Sequence, residues 1–118
     1  MSFPPIYTTL IASSALTAIV GQRIYMDNAP QGVAKPYVTW TYVGGRTSPF
    51  LGDVPGIDNQ VCMFDIWSEN ATQRDAIYAA MIAVLDPVAN MLAQPMSGWE
   101  FETKLFRLTF DYSFWRAR

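Results

Sequence analysis

Leu105–Trp115 reads LFRLTFDYSFW. Phe106, Leu108, Phe110, Tyr112 and Phe114 alternate with Arg107, Thr109, Asp111 and Ser113. A period of two places the first set on one side of an extended strand and the second set on the other. The stretch is therefore a long β-strand with one buried face, and it needs a sheet with a covered side.

Working back along the chain, Val61–Ser68 (VCMFDIWS) is a second strand. Cys62, Phe64 and Ile66 alternate there with Val61, Met63, Asp65 and Trp67, and both sets are largely apolar. Tyr37–Val43 (YVTWTYV) is aromatic and β-branched, again a strand composition. Between them, Gly44–Asn59 (GGRTSPFLGDVPGIDN) reads as a long Gly/Pro/Asp loop. The two strands are expected to pair as an antiparallel hairpin with a long excursion. Trp99–Thr103 reads as a short strand, and Val88–Gly98 has no decisive period.

Two helices complete the pattern. Pro5 to Val20 is expected to form one helix, with proline in its first turn and Gly21 just past its end. It carries no charge and only weak amphipathicity, which predicts burial on more than one side. The second helix spans Thr72 to Asp86, capped by Asn70 or Thr72, and Thr72-Gln73-Arg74-Asp75 resembles a capping box. Ile77, Met81, Val84 and Leu85 form its core stripe, and Pro87 ends it. Asp27–Pro36 is a connector. The order α-β-β-α-β-β predicts an α+β fold: an antiparallel four-stranded sheet with two helices packed on one face. At 118 residues the chain is read as a single domain, 1–118.

If the helices cover one side of Val61–Ser68, the other side meets water as an apolar patch, the usual mark of an interface. Tyr37, Thr39, Thr41 and Val43 extend that surface. Loop residues folding back over it are the alternative.

Composition points the same way. Hydrophobic residues are 51% and charged residues 15% of the chain, against about 25% charged in an average globular protein. So few charges scarcely clothe a small monomer, and a partner surface is expected. The net charge is −2, and six Arg and two Lys are scattered without a basic run. Binding to a phosphate backbone needs such a run, so specific nucleic-acid binding is not expected. Arg116 and Arg118 read as a solvated tail. Four Trp and six Tyr, lacking basic companions, read as core and interface anchors. Phe3–Gln22 is uncharged, but Thr8, Thr9, Ser13, Ser14 and Thr17 interrupt it. A spanning helix needs about 20 predominantly apolar residues, and a signal peptide needs a basic start. No membrane role is expected, although a peripheral contact through the first helix is an alternative.

Catalytic equipment is sparse. The chain has no His and one Cys, Cys62. Ser-His-Asp and Cys-His catalysis and zinc sites are thereby excluded, and Cys62 reads as a buried reduced thiol. Gly44–Ser48 lacks the GxxxxGK[ST] spacing of a phosphate loop. No cofactor or metal site is read. Asp53 with Asp58, and Asp65 with Asp111 near Arg107, are the only carboxylate pairs for acid–base work; the plainer reading is loop acids and polar interface contacts. Asn70-Ala71-Thr72 fits a glycosylation triplet but reads as the start of the helix. No enzyme is expected, with a carboxylate-based hydrolase as the alternative.

The chain also resembles the tail terminator, or tail completion, proteins of long-tailed bacteriophages. The resemblance covers most of the length. It rests on Gly21-Gln22-Arg23-Ile24-Tyr25 after an N-terminal helix, Ala29-Pro30, Pro36-Tyr37-Val38-Thr39-Trp40, and Leu51-Gly52-Asp53 in a Gly-rich loop. Gln60–Ser68 (QVCMFDIWS) follows, with a helix directly behind, and then Glu102–Arg107 leading into Phe110–Trp115. What the resemblance implies is a structural virion protein: a hexameric ring that caps the finished tail tube, ends its polymerisation and joins the tail to the head connector. The implied partners are further copies of the chain, the tail tube protein and the connector protein. The implied place is the head-proximal end of the virion tail, reached by assembly in the host cytoplasm. Another neck or tail-tube component is the near alternative. Candidate interface residues are Arg46, Phe50, Leu51 and Asp53 in the loop, Val61, Met63, Asp65 and Trp67 on the outer side of their strand, and Arg107 and Asp111 on the last strand.

Overall fold

In the computed structural model, residues 4–47, 57–92 and 95–117 are described, with the backbone alone for 45–47, 57, 58 and 115–117. Among them are three helices, α1 (Ile6–Ile11), α2 (Ser14–Val20) and α3 (Ala71–Leu85), and six strands. The strands are β1 (Ile24–Met26), β2 (Tyr37–Thr47), β3 (Ile57–Ser68), β4 (Asn90–Met91), β5 (Met96–Glu100) and β6 (Leu105–Ala117). They form one mixed sheet in the order β1-β2-β3-β6-β4, with β5 also on the outer edge of β6. The α+β class stands, and the four-stranded antiparallel sheet is corrected to a mixed sheet of six.

The two alternating strands are neighbours, paired antiparallel from Ile57↔Ala117 to Ser68↔Phe106. Their buried sides fall in register with β2, giving the rows Val38–Ile66–Leu108, Trp40–Phe64–Phe110 and Tyr42–Cys62–Tyr112. Phe64 stacks on Phe110 with centroids 5.4 Å apart, and Tyr78 of α3 meets the Phe110 ring edge-on at 5.2 Å. The helices close this face with Ile6, Leu10, Leu16, Val20, Ile77, Ala80, Met81 and Leu85, all in the same core. Each large apolar side chain so buried contributes about 1.5–3 kcal/mol. Cys62 lies fully inside, and burial pushes its thiol up to about 11.

Four expectations need correcting. The Pro5–Val20 helix is two helices, because Ser13 is an N-cap: its hydroxyl accepts from the Leu16 N–H at 3.2 Å and starts a new helix. Within the chain these helices bury one side only, since Tyr7, Thr8, Ala12, Ser14, Ala15 and Ala18 are exposed. Secondly, the loop is shorter than Gly44–Asn59. Both strands continue into it, with Gly44↔Val61 through Thr47↔Asp58 paired beyond a bulge at Val43. An extra residue there lets the register resume, and Gly44 takes φ +106°, open to glycine. Thirdly, α3 is capped by Asn70, whose side chain accepts from the Gln73 N–H at 3.0 Å, and not by Thr72. Its buried stripe adds Ala80 to Ile77, Met81 and Leu85, with Val84 half-buried against the same core. Lastly, the short strand is Met96–Glu100, not Trp99–Thr103, which runs into the turn before β6.

β1 pairs parallel with β2, with Ile24 opposite Val38. The connector between them, residues 27–36, turns back through positive φ at Asp27 (69°) and Gly32 (77°). Arg23 pins its far end, donating from Nε to the Pro36 carbonyl at 2.8 Å.

Candidate functional site

The helices cover one side of the sheet, so the alternate residues of β2, β3 and β6 define an open side. Its rows are Tyr37–Trp67–Arg107, Thr39–Asp65–Thr109 and Thr41–Met63–Asp111, with Val61 opposite Ser113 next along. Six of the candidate residues therefore share one surface: Val61, Met63, Asp65, Trp67, Arg107 and Asp111. All six are partly buried. Val43 departs from this surface at the bulge and is exposed.

The open side is aromatic and polar, where the sequence suggested an apolar patch. Tyr37 stacks on Trp67 with centroids 6.1 Å apart, and the Arg107 guanidinium lies 5.7 Å from the Trp67 ring centre. Trp67 Nε1 donates to Thr39 Oγ1 at 3.2 Å, and the Thr109 hydroxyl donates to the Asp65 carboxylate. Arg107 also pairs with Glu100 of β5 at 3.8 Å. Both partners of that pair are well exposed, so its stabilisation is small. Asp65 is thus engaged by a threonine and Arg107 by a glutamate and an indole. The two are not drawn into an Asp65–Asp111–Arg107 acid–base centre.

At one end this surface becomes a groove of about 670 Å³. The connector forms one wall, including Asp27, Pro30 and Lys35; Tyr37, Thr39, Asp65 and Trp67 form the floor, and Glu102 and Thr103 close the far side. Burial, and next the Glu100 charge, raise the Tyr37 hydroxyl above its ordinary value. Connector residues therefore do fold back over the sheet at this end. Sequence reading missed the groove because its walls come from segments far apart in the chain. The turn residues Asp27-Asn28-Ala29-Pro30 were the available signal.

A second feature lies on the β5 edge. Met96, Trp99 and Phe101 are 70%, 52% and 83% exposed. Trp99 leans on Phe106 at 4.9 Å between centroids, while Phe101 sits in the turn before β6 with no such support. Arg46 is in β2 opposite Asn59, and its side chain lies outside what is described. Phe50, Leu51 and Asp53 fall outside the described residues altogether, and so does any Asp53–Asp58 pairing.

Among the described residues no group of three or more His, Cys, Asp or Glu is placed to hold a metal ion. No described helix is long and apolar enough to cross a membrane.

Comparison with known proteins gives a family and a fold. The family model described as tail completion protein gp17 matches residues 4–116. No curated protein matches the chain. Among solved structures, a chain of the virion of a native gene transfer agent (GTA) particle superposes with a TM-score of 0.67. It covers 96% of this chain and 92% of its own length at 14% identity, a likeness of fold.

Proposed function

The chain belongs to the tail completion protein gp17 family, and is thus a structural protein of the phage tail; from that premise we propose that it forms a closed ring on the end of the tail tube. The ring ends tube growth and offers the surface on which the head connector docks. It sits at the head-proximal end of the virion and assembles there in the host cytoplasm. Copies of the chain, the tube protein and the connector protein are its partners, and six copies is the number the resemblance implies.

The observation that carries this reading is the family match across residues 4–116. The surface supports it. A chain with 15% charged residues keeps an aromatic open side and exposed Met96, Trp99 and Phe101, the composition of a surface that meets other proteins. In this reading Val61, Met63, Asp65, Trp67, Arg107 and Asp111 contact neighbours through the open side, and Arg46 near the end of β2, with Phe50, Leu51 and Asp53 beyond it in sequence, makes further contacts. None of these contacts calls for catalysis.

Electron microscopy of lysates from a phage lacking this gene tests the proposal. Overlong tubes and unattached heads are expected, with normal virions restored by the gene in trans. Tails of normal length in the deletion would refute the terminating role. Indefinite fibres of the purified protein would instead assign it to the tube.

A further inference from the structure

The sheet has two edges, and they are finished differently. β1 forms one of them. It is three residues long, with Arg23 before it and Asp27 after it. Short length and flanking charge are means by which proteins keep an edge from pairing with another chain. β5 lies at the other edge and pairs with β6 alone among the described strands. Met96–Trp99 holds no charge, and the uncharged run reaches back to Pro87. The β5–β6 register is regular, without a bulge. A strand of this kind presents a row of backbone N–H and C=O groups with none of the usual guards.

Apolar exposure gathers along this edge. Val88, Leu92, Met96, Trp99 and Phe101 are five of the eight large apolar side chains that are exposed among the described residues. The two within β5 lie on opposite faces. Met96 is opposite Thr109, on the open side of the sheet, whereas Trp99 is opposite Phe106, on the helix side. An element docked on either face would cover one and leave the other in water. A strand added in the plane of the sheet covers both. Its own side chains alternate between the same two faces and lie about 4.5–5.5 Å from those opposite.

We propose that the outer edge of β5 receives an extended segment of a different tail protein, which joins the sheet as an added strand. Main-chain hydrogen bonds hold such a strand, and its alternate side chains set the choice of partner. The matching segment is apolar on both faces and uncharged where it runs beside Met96–Trp99. It is free of proline, which would remove a donor from the ladder. A second copy is the poorer match, because its own β1 edge is only three residues long and bounded by charges. The contact rests on the chain's place in a tail and holds whether or not the ring closes.

Hydrogen exchange read by mass spectrometry, on the free chain and on purified tails, tests the contact. The outward amides of residues 96–100 are expected to exchange at least about tenfold more slowly in tails, where they gain partners. Met96→Lys places a charge on the edge at a side chain that is 70% exposed, so it obstructs an incoming strand and leaves the fold alone. Ala83→Lys, at an exposed position of α3, is the matched charge control. In a phage lacking the gene, Met96→Lys is expected to lower the yield of complete virions by about tenfold or more. Ala83→Lys should restore that yield as the wild type does. Circular dichroism checks that both variants fold. Equal exchange at residues 96–100 in free chain and tails, or a folded Met96→Lys chain that complements fully, would overturn the proposal. Protection that arises in the purified chain alone, as its concentration rises, would assign the edge to a second copy and overturn it as well. None of these results bears on tube length in the deletion, by which the ring reading is judged.

Discussion

The hydroxyl of Tyr112 donates to Asp86 Oδ1 across 2.6 Å. Tyr112 is fully buried in the central row of the sheet, and Asp86 caps the C-terminus of α3. This one bond ties the end of the longest helix to the middle of the last strand. Tyr112→Phe keeps the ring and leaves the Asp86 carboxylate without its donor. A loss of about 1–3 kcal/mol is expected from removing one side of such a bond, read as a lower urea midpoint at unchanged slope.

Alkaline pH should unfold the protein early. Burial raises the Cys62 thiol from 9.0 to about 11, and burial together with the Asp86 bond raises the Tyr112 hydroxyl well above 10.0. Both groups are neutral in the fold and ionise more easily when unfolded. Their contribution is complete below about pH 9 and is lost as pH rises. Each such group costs about 1.4 kcal/mol per pH unit while it is ionised only in the unfolded chain. Thermal melts from pH 8 to 11 should show this fall. Cys62→Val should flatten the curve between pH 9 and 11; an unchanged slope would dismiss the thiol as its source.

Asn70 and Thr72 offer a clean contrast. Asn70 accepts from the Gln73 N–H, and the Ser68 hydroxyl, 2.8 Å from Gln73 Oε1, accepts from the Asn70 N–H. Asn70→Ala is expected to cost about 1 kcal/mol. Thr72→Ala, at an exposed position without a cap bond, should stay within about 0.5 kcal/mol. Chemical denaturation of the pair decides which residue caps α3.

Phe101 is 83% exposed, so Phe101→Ser should leave the melting temperature unmoved. If the β5 edge meets another protein, the same change lowers tail incorporation in a complementation assay. Phe64→Ala, by contrast, removes a ring stacked at 5.4 Å on Phe110 and should cost about 3–5 kcal/mol. Far-UV circular dichroism against temperature separates the two outcomes.

What the sequence made legible followed from period. β3 and β6 alternate over many residues, so their faces could be read directly, while their mutual pairing appears only in the structure. β1 and β4 could not, because three and two residues carry no period, and β1 lies parallel to its neighbour. The continuation of β2 and β3 past Val43 was hidden by Gly44, Gly45 and Asp58, residues that favour turns and are held extended here by the ladder itself. The break at Ser13 turned on a local choice: its hydroxyl satisfies a backbone N–H better as a cap than within a continuous helix. Of the site, outward positions on β3 and β6 were readable because they are the complement of the core set. The groove was not, since Asp27, Tyr37, Asp65 and Glu102 converge only through the parallel β1–β2 return and the β5–β6 turn.

β6 follows every element it pairs with, and it pairs with three of them: β3 on one side, β4 and β5 on the other. During synthesis the ribosome therefore releases β1 to β5 before the strand that joins them exists outside the exit tunnel. Until residues 105–117 emerge, β4 and β5 have no partner and the central row lacks Phe110 and Tyr112. A fragment that stops short of residue 105 lacks the strand around which both halves of the sheet are gathered.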